Sequence, residues 1–331
     1  MGILLTGISA LEYCRFEAHA QPWTHASARC SEAAFPDKPS AKEARALKDR
    51  GFGFLSLPVH LLVEDEGRRC RLPDVTCHVR PAGLRCDHVF RVGEGVFVVP
   101  PAVCFLQLAN DLPFPKLVEA GFELCGRYGK SVGSFEELVS RDPLTSVARL
   151  NHFLRSLDRV RGTVAARRAI RFGLDGSMSP METVNVELLS FSLALGGYGL
   201  SLPRMNEIIR VGAKDRPFVK KRYYLCDLYW PKAKFALEYD SNLHHTGAVR
   251  IAQDASRRTE LAYLGIEVAT LTQKQACDRR EMDRIARLLA KRLGKRLRME
   301  RVNPEGSQDR LRACLLDFSR SGQGNGYVQD W

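Results

Sequence analysis

Between Cys226 and His245 the chain reads CDLYWPKAKFALEYDSNLHH. Five of its side chains can hold a metal ion or move a proton: Asp227, Glu238, Asp240, His244 and His245. Two apolar runs flank Pro231–Lys234, the punctuation of a β-hairpin. If those four residues form the turn, Trp230 pairs with Phe235 and, further from the turn, Asp227 lies opposite Glu238. Side chains alternate across a strand, so Glu238 and Asp240 share one face of the second strand. Opposed carboxylates repel, and burying them costs on the order of several kcal/mol each unless a cation sits between them. Hard oxygen ligands at this spacing suit Mg²⁺ or Mn²⁺. The expected metal ligands are therefore Asp227, Glu238 and Asp240. A metal beside carboxylates and histidines points to hydrolysis of a phosphodiester. The competing reading is the solvated polar face of an ordinary antiparallel hairpin.

The substrate side of that expectation comes from charge. The 331 residues carry a net charge of +12, which favours polyanions and makes DNA the first expected partner. Much of the surplus falls on the segment after Gln275, where Arg284, Arg287, Lys291 and Arg298 lie on the face opposite the apolar positions of a helix. Lys220, Lys221, Arg257 and Arg258 lie near the hairpin in sequence. These eight residues are expected to contact the nucleic-acid backbone, with a merely solvated surface as the alternative. The aromatics Tyr223, Tyr224, Tyr229 and Trp230 are read as core packing rather than base stacking.

No run of eighteen apolar residues occurs, so no membrane-spanning helix is expected, and the first residues lack the positive start of a secretory signal. Ten cysteines without regular spacing suggest buried thiols in a reducing cytoplasm. Cys70, Cys77, His78, Cys86 and His88 lack the paired spacing of structural zinc sites and are read as strand residues, with zinc as the alternative.

The elements that must position these residues follow from periodicity. Residues 1–130 read as a small α+β module, helical or loose to about residue 50 and then strand-rich. Residues 131–174 read as a basic helical linker. Residues 175–300 alternate in the order α, β, β, β, α, β, with a long basic helix after them, and 301–331 read as a loose tail. The first helix of that order is expected from Met181 to Leu195, capped by Ser179 with Pro180 in its first turn.

The spacing of SPMET, CDLYW, FALEYDSNLHH and DASRR resembles the restriction-endonuclease-like PD-(D/E)xK superfamily. More narrowly, it resembles bacterial families related to the very-short-patch repair endonuclease. The resemblance covers roughly residues 175–298. It implies an α/β fold with a restriction-endonuclease-like αβββαβ core and mixed sheet, a DNA endonuclease activity, and Mg²⁺ or Mn²⁺ as cofactor. Carried over residue by residue, Asp227 and Glu238 are the metal ligands, and Glu182 is an auxiliary acid. His244 or His245 contacts the scissile phosphate or assists the leaving group. Asp254 and Arg257 match the relatives' Asp-x-x-Arg pattern. Asp240 stands where many members carry lysine, Ser241 replaces a common glycine, and IEVATLT lacks a common arginine. The departures define the alternative function: a non-catalytic nucleic-acid-binding regulator or antitoxin with a degenerate nuclease fold. A third reading is a protein-interaction scaffold. LSLPVHLLV, VTCHVRP and GVFVVPPAVCFLQLA resemble, more faintly, the C-terminal region of type IV abortive-infection antitoxins.

Overall fold

The computed structural model describes residues 2–16, 27–29, 40–84, 88–131, 134–240, 248–297 and 306–316. The protein is mixed α/β and divides into two units, with the boundary between Asp175 and Gly176. No helix among the described residues is long and apolar enough to cross a membrane.

The first unit is built on a six-stranded sheet. In chain order its elements are β1 (Ile3–Leu5), α1 (Gly7–Phe16), β2 (Ser27–Arg29), α2 (Ala41–Leu47), β3 (Val59–Val63), β4 (Val75–Val79), β5 (His88–Gly93), β6 (Val96–Val98), α3 (Pro101–Leu108) and α4 (Phe114–Cys125). The strand order is β2-β5-β6-β1-β3-β4. β1 lies parallel to β6 and antiparallel to β3, and β3 lies parallel to β4. Ile3, Leu4 and Leu5 are buried, as are Leu61, Leu62 and Val63 of β3. Short apolar runs buried on both faces are what an interior strand requires. The expectation that the first 50 residues are helical or loose therefore fails at β1. Three residues are too few to show a period, and only their partners make them a strand.

A two-stranded ribbon follows, β7 (Tyr128–Ser131) with β8 (Ser134–Ser140), and then α5 (Val147–Arg155) and α6 (Thr163–Ala169). Residues 134–140 were expected to be helical. Their Glu and Leu content favours a helix locally, but pairing with β7 overrides a propensity worth only tenths of a kcal/mol per residue, about.

The second unit opens with α7 (Pro180–Ser190), shorter than expected at its C-terminal end. Ser179 caps it, accepting from the Glu182 N–H at 3.2 Å, and Pro180 occupies the first turn. Next come β9 (Arg204–Arg210), β10 (Tyr223–Trp230), β11 (Phe235–Asp240), α8 (Ala248–Tyr263) and β12 (Glu267–Thr272). The sheet order is β12-β11-β10-β9. β9, β10 and β11 form an antiparallel meander, and α8 carries the chain over to β12, parallel to β11. Tyr224, Cys226, Ala236, Leu261 and Ile266 form a core cluster spanning the sheet, α8 and the turn after it.

The expected long basic helix is broken. α9 (Gln273–Cys277) ends at Asp278, whose carboxylate caps α10 (Arg279–Arg292). The tail expected to be loose contains α11 (Ser307–Leu316), with Leu311 and Leu315 buried and Arg312 donating to the carbonyls of Ala276 and Cys277. Buried Ser307, Gln308 and Arg312 give α11 a polar inner face, so apolar periodicity cannot reveal it.

Candidate functional site

The hairpin closes as its turn length implies. Trp230 pairs with Phe235, Tyr229 with Ala236 and Leu228 with Leu237. One step further would set Asp227 opposite Glu238, but the ladder stops there. Asp227 turns its carboxylate along the sheet, and Oδ2 accepts from the Tyr239 N–H at 2.9 Å. On the other side, β9 and β10 pair at Met205–Leu228 and again at Glu207–Cys226, skipping Asn206 and Asp227. Asn206 is left-handed, with φ of 47°. That region is one that asparagine tolerates better than most residues. The sheet is thus opened on both sides of Asp227.

Asn206 uses the opening. Its Nδ2 donates to the Gly176 carbonyl at 2.9 Å and to Glu182 Oε2 at 2.7 Å. Glu182 also accepts from the Met178 N–H at 3.0 Å and from Ser179 Oγ at 3.1 Å. It is 5% exposed. Burial lifts its pKa to about 7, and the neighbouring charge of Asp227 pushes in the same direction against the hydrogen bonds.

Glu238 is balanced differently. Arg257 of α8 forms an ion pair with its Oε1 and donates to the Leu225 carbonyl at 2.6 Å. Burial raises the pKa of Glu238, Arg257 lowers it, and Asp227 raises it. Burial raises Asp227 too, opposed by the Tyr239 N–H and by Arg257. Asp240 ends β11, half-buried, in register with Thr272 of β12. Beneath these acids, Glu260 is hydrogen-bonded by Tyr224 Oη and by Ser256 Oγ at 3.0 Å.

Glu182, Asp227 and Glu238 therefore come from three elements to one neighbourhood. The tight convergence expected of Asp227, Glu238 and Asp240 is not present. Among the described residues, the set of three His, Cys, Asp or Glu side chains whose ligand atoms lie within 4.8 Å of one another is His60, His78 and Asp111, in the first unit. At the hairpin, the Arg257 guanidinium meets Glu238. The donor set still suits a hard divalent cation. It is made of buried Glu182 and half-buried Asp227 and Glu238, all with raised pKa values, and Asp227 Oδ1 has no hydrogen-bond partner among the described residues.

The expected DNA contacts separate into groups. Arg257 is turned inward and fixed by Glu238, so its expected role as a backbone contact is corrected to a structural one. Its charge offsets that of a half-buried carboxylate, which would be costly to leave unpaired. Lys220 donates through Nζ to Ser256 Oγ at 3.1 Å. Lys221 and Arg258 are exposed. On α10, Met282, Ala286, Leu289 and Ala290 face inward, while Arg284, Arg287 and Lys291 face solvent. Arg284 pairs with Glu281 at 2.5 Å, whereas Arg287 and Lys291 have no acidic partner among the described residues. His244, His245 and Arg298 lie outside the described residues.

The sequence reading missed Asn206 and Glu260. A polar asparagine inside an apolar strand pattern was the only local signal for the first. Glu260 sits on α8 and acquires its meaning from Tyr224, distant in sequence. The chain matches no family model, no curated protein and no solved structure.

Proposed function

We propose that the second unit hydrolyses phosphodiester bonds in DNA, with Mg²⁺ or Mn²⁺ held by Asp227 and Glu238. One observation carries this reading: α7, β10 and β11 bring Glu182, Asp227 and Glu238 to one neighbourhood, with Asn206 holding Glu182 at 2.7 Å, the Tyr239 N–H holding Asp227 at 2.9 Å and Arg257 paired with Glu238. Clustered acids with raised pKa values are a common property of sites that bind cations and move protons. The αβββαβ order and the resemblance to restriction-endonuclease-like proteins point the same way. When bound, the metal supplies a Lewis acid at the phosphate and a more acidic water. Glu182, with a pKa near neutrality, can hold or release a proton at its carboxylate at physiological pH. Asn206 orients that carboxylate through Nδ2. Exposed Arg287 and Lys291 offer contacts to the sugar-phosphate backbone, with Arg284 beside them.

The test is cleavage of single-stranded, double-stranded and mismatched DNA with Mg²⁺ and Mn²⁺, by wild type and Asp227→Asn. Wild type is expected to cleave. Asp227→Asn is expected to bind DNA as well or better and to cleave none. A fully active Asp227→Asn would place the chemistry elsewhere.

A second reading has its own support. Arg257 already compensates Glu238, as in a fold that has kept its nucleic-acid surface and lost its metal. In that non-catalytic regulator, wild type is inactive with either ion and Mg²⁺ leaves Tm unchanged.

A further inference from the structure

The first unit holds a second cluster of ligating side chains, and it is better assembled than the first. His60 of β3 and His78 of β4 sit on neighbouring parallel strands, in a register that pairs Leu62 with His78. Their rings stack with centroids 4.9 Å apart, and His60 Nδ1 lies 2.9 Å from His78 Nε2. Asp111, just beyond α3, completes the set within 4.8 Å.

The backbone is arranged around these nitrogens. The N–H of Thr6 donates to the His60 carbonyl at 3.0 Å, and the N–H of His60 donates to Ser9 Oγ at 2.9 Å. These bonds hold β3 beneath the start of α1. There Gly7 has φ of 52°, and a Cβ on it would lie 3.4 Å from His60 Nδ1 and 3.9 Å from His78 Nε2. The glycine leaves the space above both ring nitrogens clear. Gln107, 5% exposed, accepts from Thr6 Oγ1, and its Nε2 has no partner.

We propose that His60 Nδ1, His78 Nε2 and a carboxylate oxygen of Asp111 bind one divalent transition-metal ion of the zinc class, with water completing the coordination on the exposed Asp111 side. Two imidazoles and one carboxylate are a borderline donor set that selects such ions over Mg²⁺ or Ca²⁺. Three protein ligands with an open position are the pattern of a reactive site rather than a closed structural one. Metal–nitrogen bonds of about 2.0–2.1 Å put two nitrogens on one tetrahedral ion roughly 3.3 Å apart, so the pair at 2.9 Å need open by only a few tenths of an ångström. One of the two facing nitrogens carries the proton of their present hydrogen bond. Binding moves that proton to the other nitrogen of the same ring, and no oxidant or co-reactant is required. Burial disfavours the charged form of both imidazoles. The positive end of α1 and the charges of Arg69 and Arg161, felt by His78 and Asp111, disfavour a purely electrostatic cation. Coordinate bonds to imidazole must therefore supply the affinity.

The test uses the full chain, stripped of metal and titrated with Zn²⁺ against a chromophoric chelator. Wild type is expected to bind one equivalent at this site. His78→Ala should weaken it by about 100-fold and Asp111→Asn by at least about tenfold, the range that loss of outer-shell partners alone reaches. Cys70→Ser/Cys77→Ser guards against a rival thiol site, because those sulfurs lie 3.3 Å apart. It should retain the binding. Wild type loaded with Co²⁺ should show visible d–d bands without a thiolate charge-transfer band, a readout that stands if a histidine variant fails to fold. Absence of Zn²⁺ binding, unchanged affinity in folded Asp111→Asn and His78→Ala, or a thiolate band lost in Cys70→Ser/Cys77→Ser would each overturn the proposal. Asp227→Asn, which tests the second unit, should leave this Zn²⁺ affinity unchanged.

Discussion

Replacing Arg257 by methionine keeps an unbranched apolar stem, shortens the side chain and removes its charge. In the folded protein this strips Glu238 of its ion-pair partner and leaves the Leu225 carbonyl without its donor. Removing one member of a buried pair costs roughly 3–5 kcal/mol. The two side chains are 22% and 23% exposed, so solvent screening reduces the expected loss to about 2–3 kcal/mol. For a protein region of this size that lowers Tm by roughly 5–10 °C. The pH dependence has a definite sign. Burial already raises Glu238 above its ordinary value of 4.5, and losing Arg257 raises it further. Below the ordinary value both folded and unfolded states are protonated and no penalty exists. The penalty grows as pH climbs from there to the raised folded value, and above it the penalty is complete. Thermal melts of wild type and Arg257→Met across pH 4.5–8 should therefore diverge as pH rises. Arg257→Met/Glu238→Gln should recover much of the loss. Mg²⁺ should stabilise Arg257→Met more than wild type if Glu238 is a metal ligand. Equal melting temperatures throughout, or a deficit that ignores pH, would show that Arg257 and Glu238 do not depend on one another.

The pKa of Glu182, followed by ¹³C NMR of its carboxylate, should lie near 7 and fall in Asp227→Asn, because a repelling charge is removed. A value unmoved by that change would separate the two acids. Replacing Arg284, Arg287 and Lys291 by glutamine should weaken DNA binding regardless of sequence and flatten the log–log salt dependence by about 2–3, measured by fluorescence anisotropy. An unchanged slope would make that face ordinary surface. Leu311→Ala or Leu315→Ala, each truncating a buried side chain of α11, should cost about 2–4 kcal/mol in urea melts. A neutral result would deny the tail its place in the fold.

What the sequence revealed and what it hid divide along the range of the interactions. The hairpin register was legible because one short turn, Pro231–Lys234, sets it. The order of strands and helices from α7 to β12 was legible for the same reason, since each element carries its own period and its own stops. The partners of the acids were not. Arg257 reads as a DNA contact until α8 is laid against β10 and β11. Only then does its guanidinium lie between Glu238 and the Leu225 carbonyl. Asn206 gives no sign in sequence that its backbone will turn left-handed opposite Asp227. His60, His78 and Asp111 sit in three separate segments, and His78 was weighed only with nearby cysteines. The sheet register, not the spacing, brings it to His60.

The position of β1 has a kinetic consequence. Leu5 pairs with Leu61, and Ile3 pairs with Val96, so this innermost strand finds no partner among its near neighbours. By contrast, the β10–β11 hairpin closes over a short turn, between Trp230 and Phe235. Loop closure over many tens of residues must come before β1 gains any contact, and folding slows as average sequence separation rises. As the chain leaves the ribosome, β1 has no partner until Leu61 has emerged, and it lacks its second one until Val98 has. β1 lies between the β3–β4 pair and the β5–β6 pair, so the two halves of the sheet become one only when it is in place.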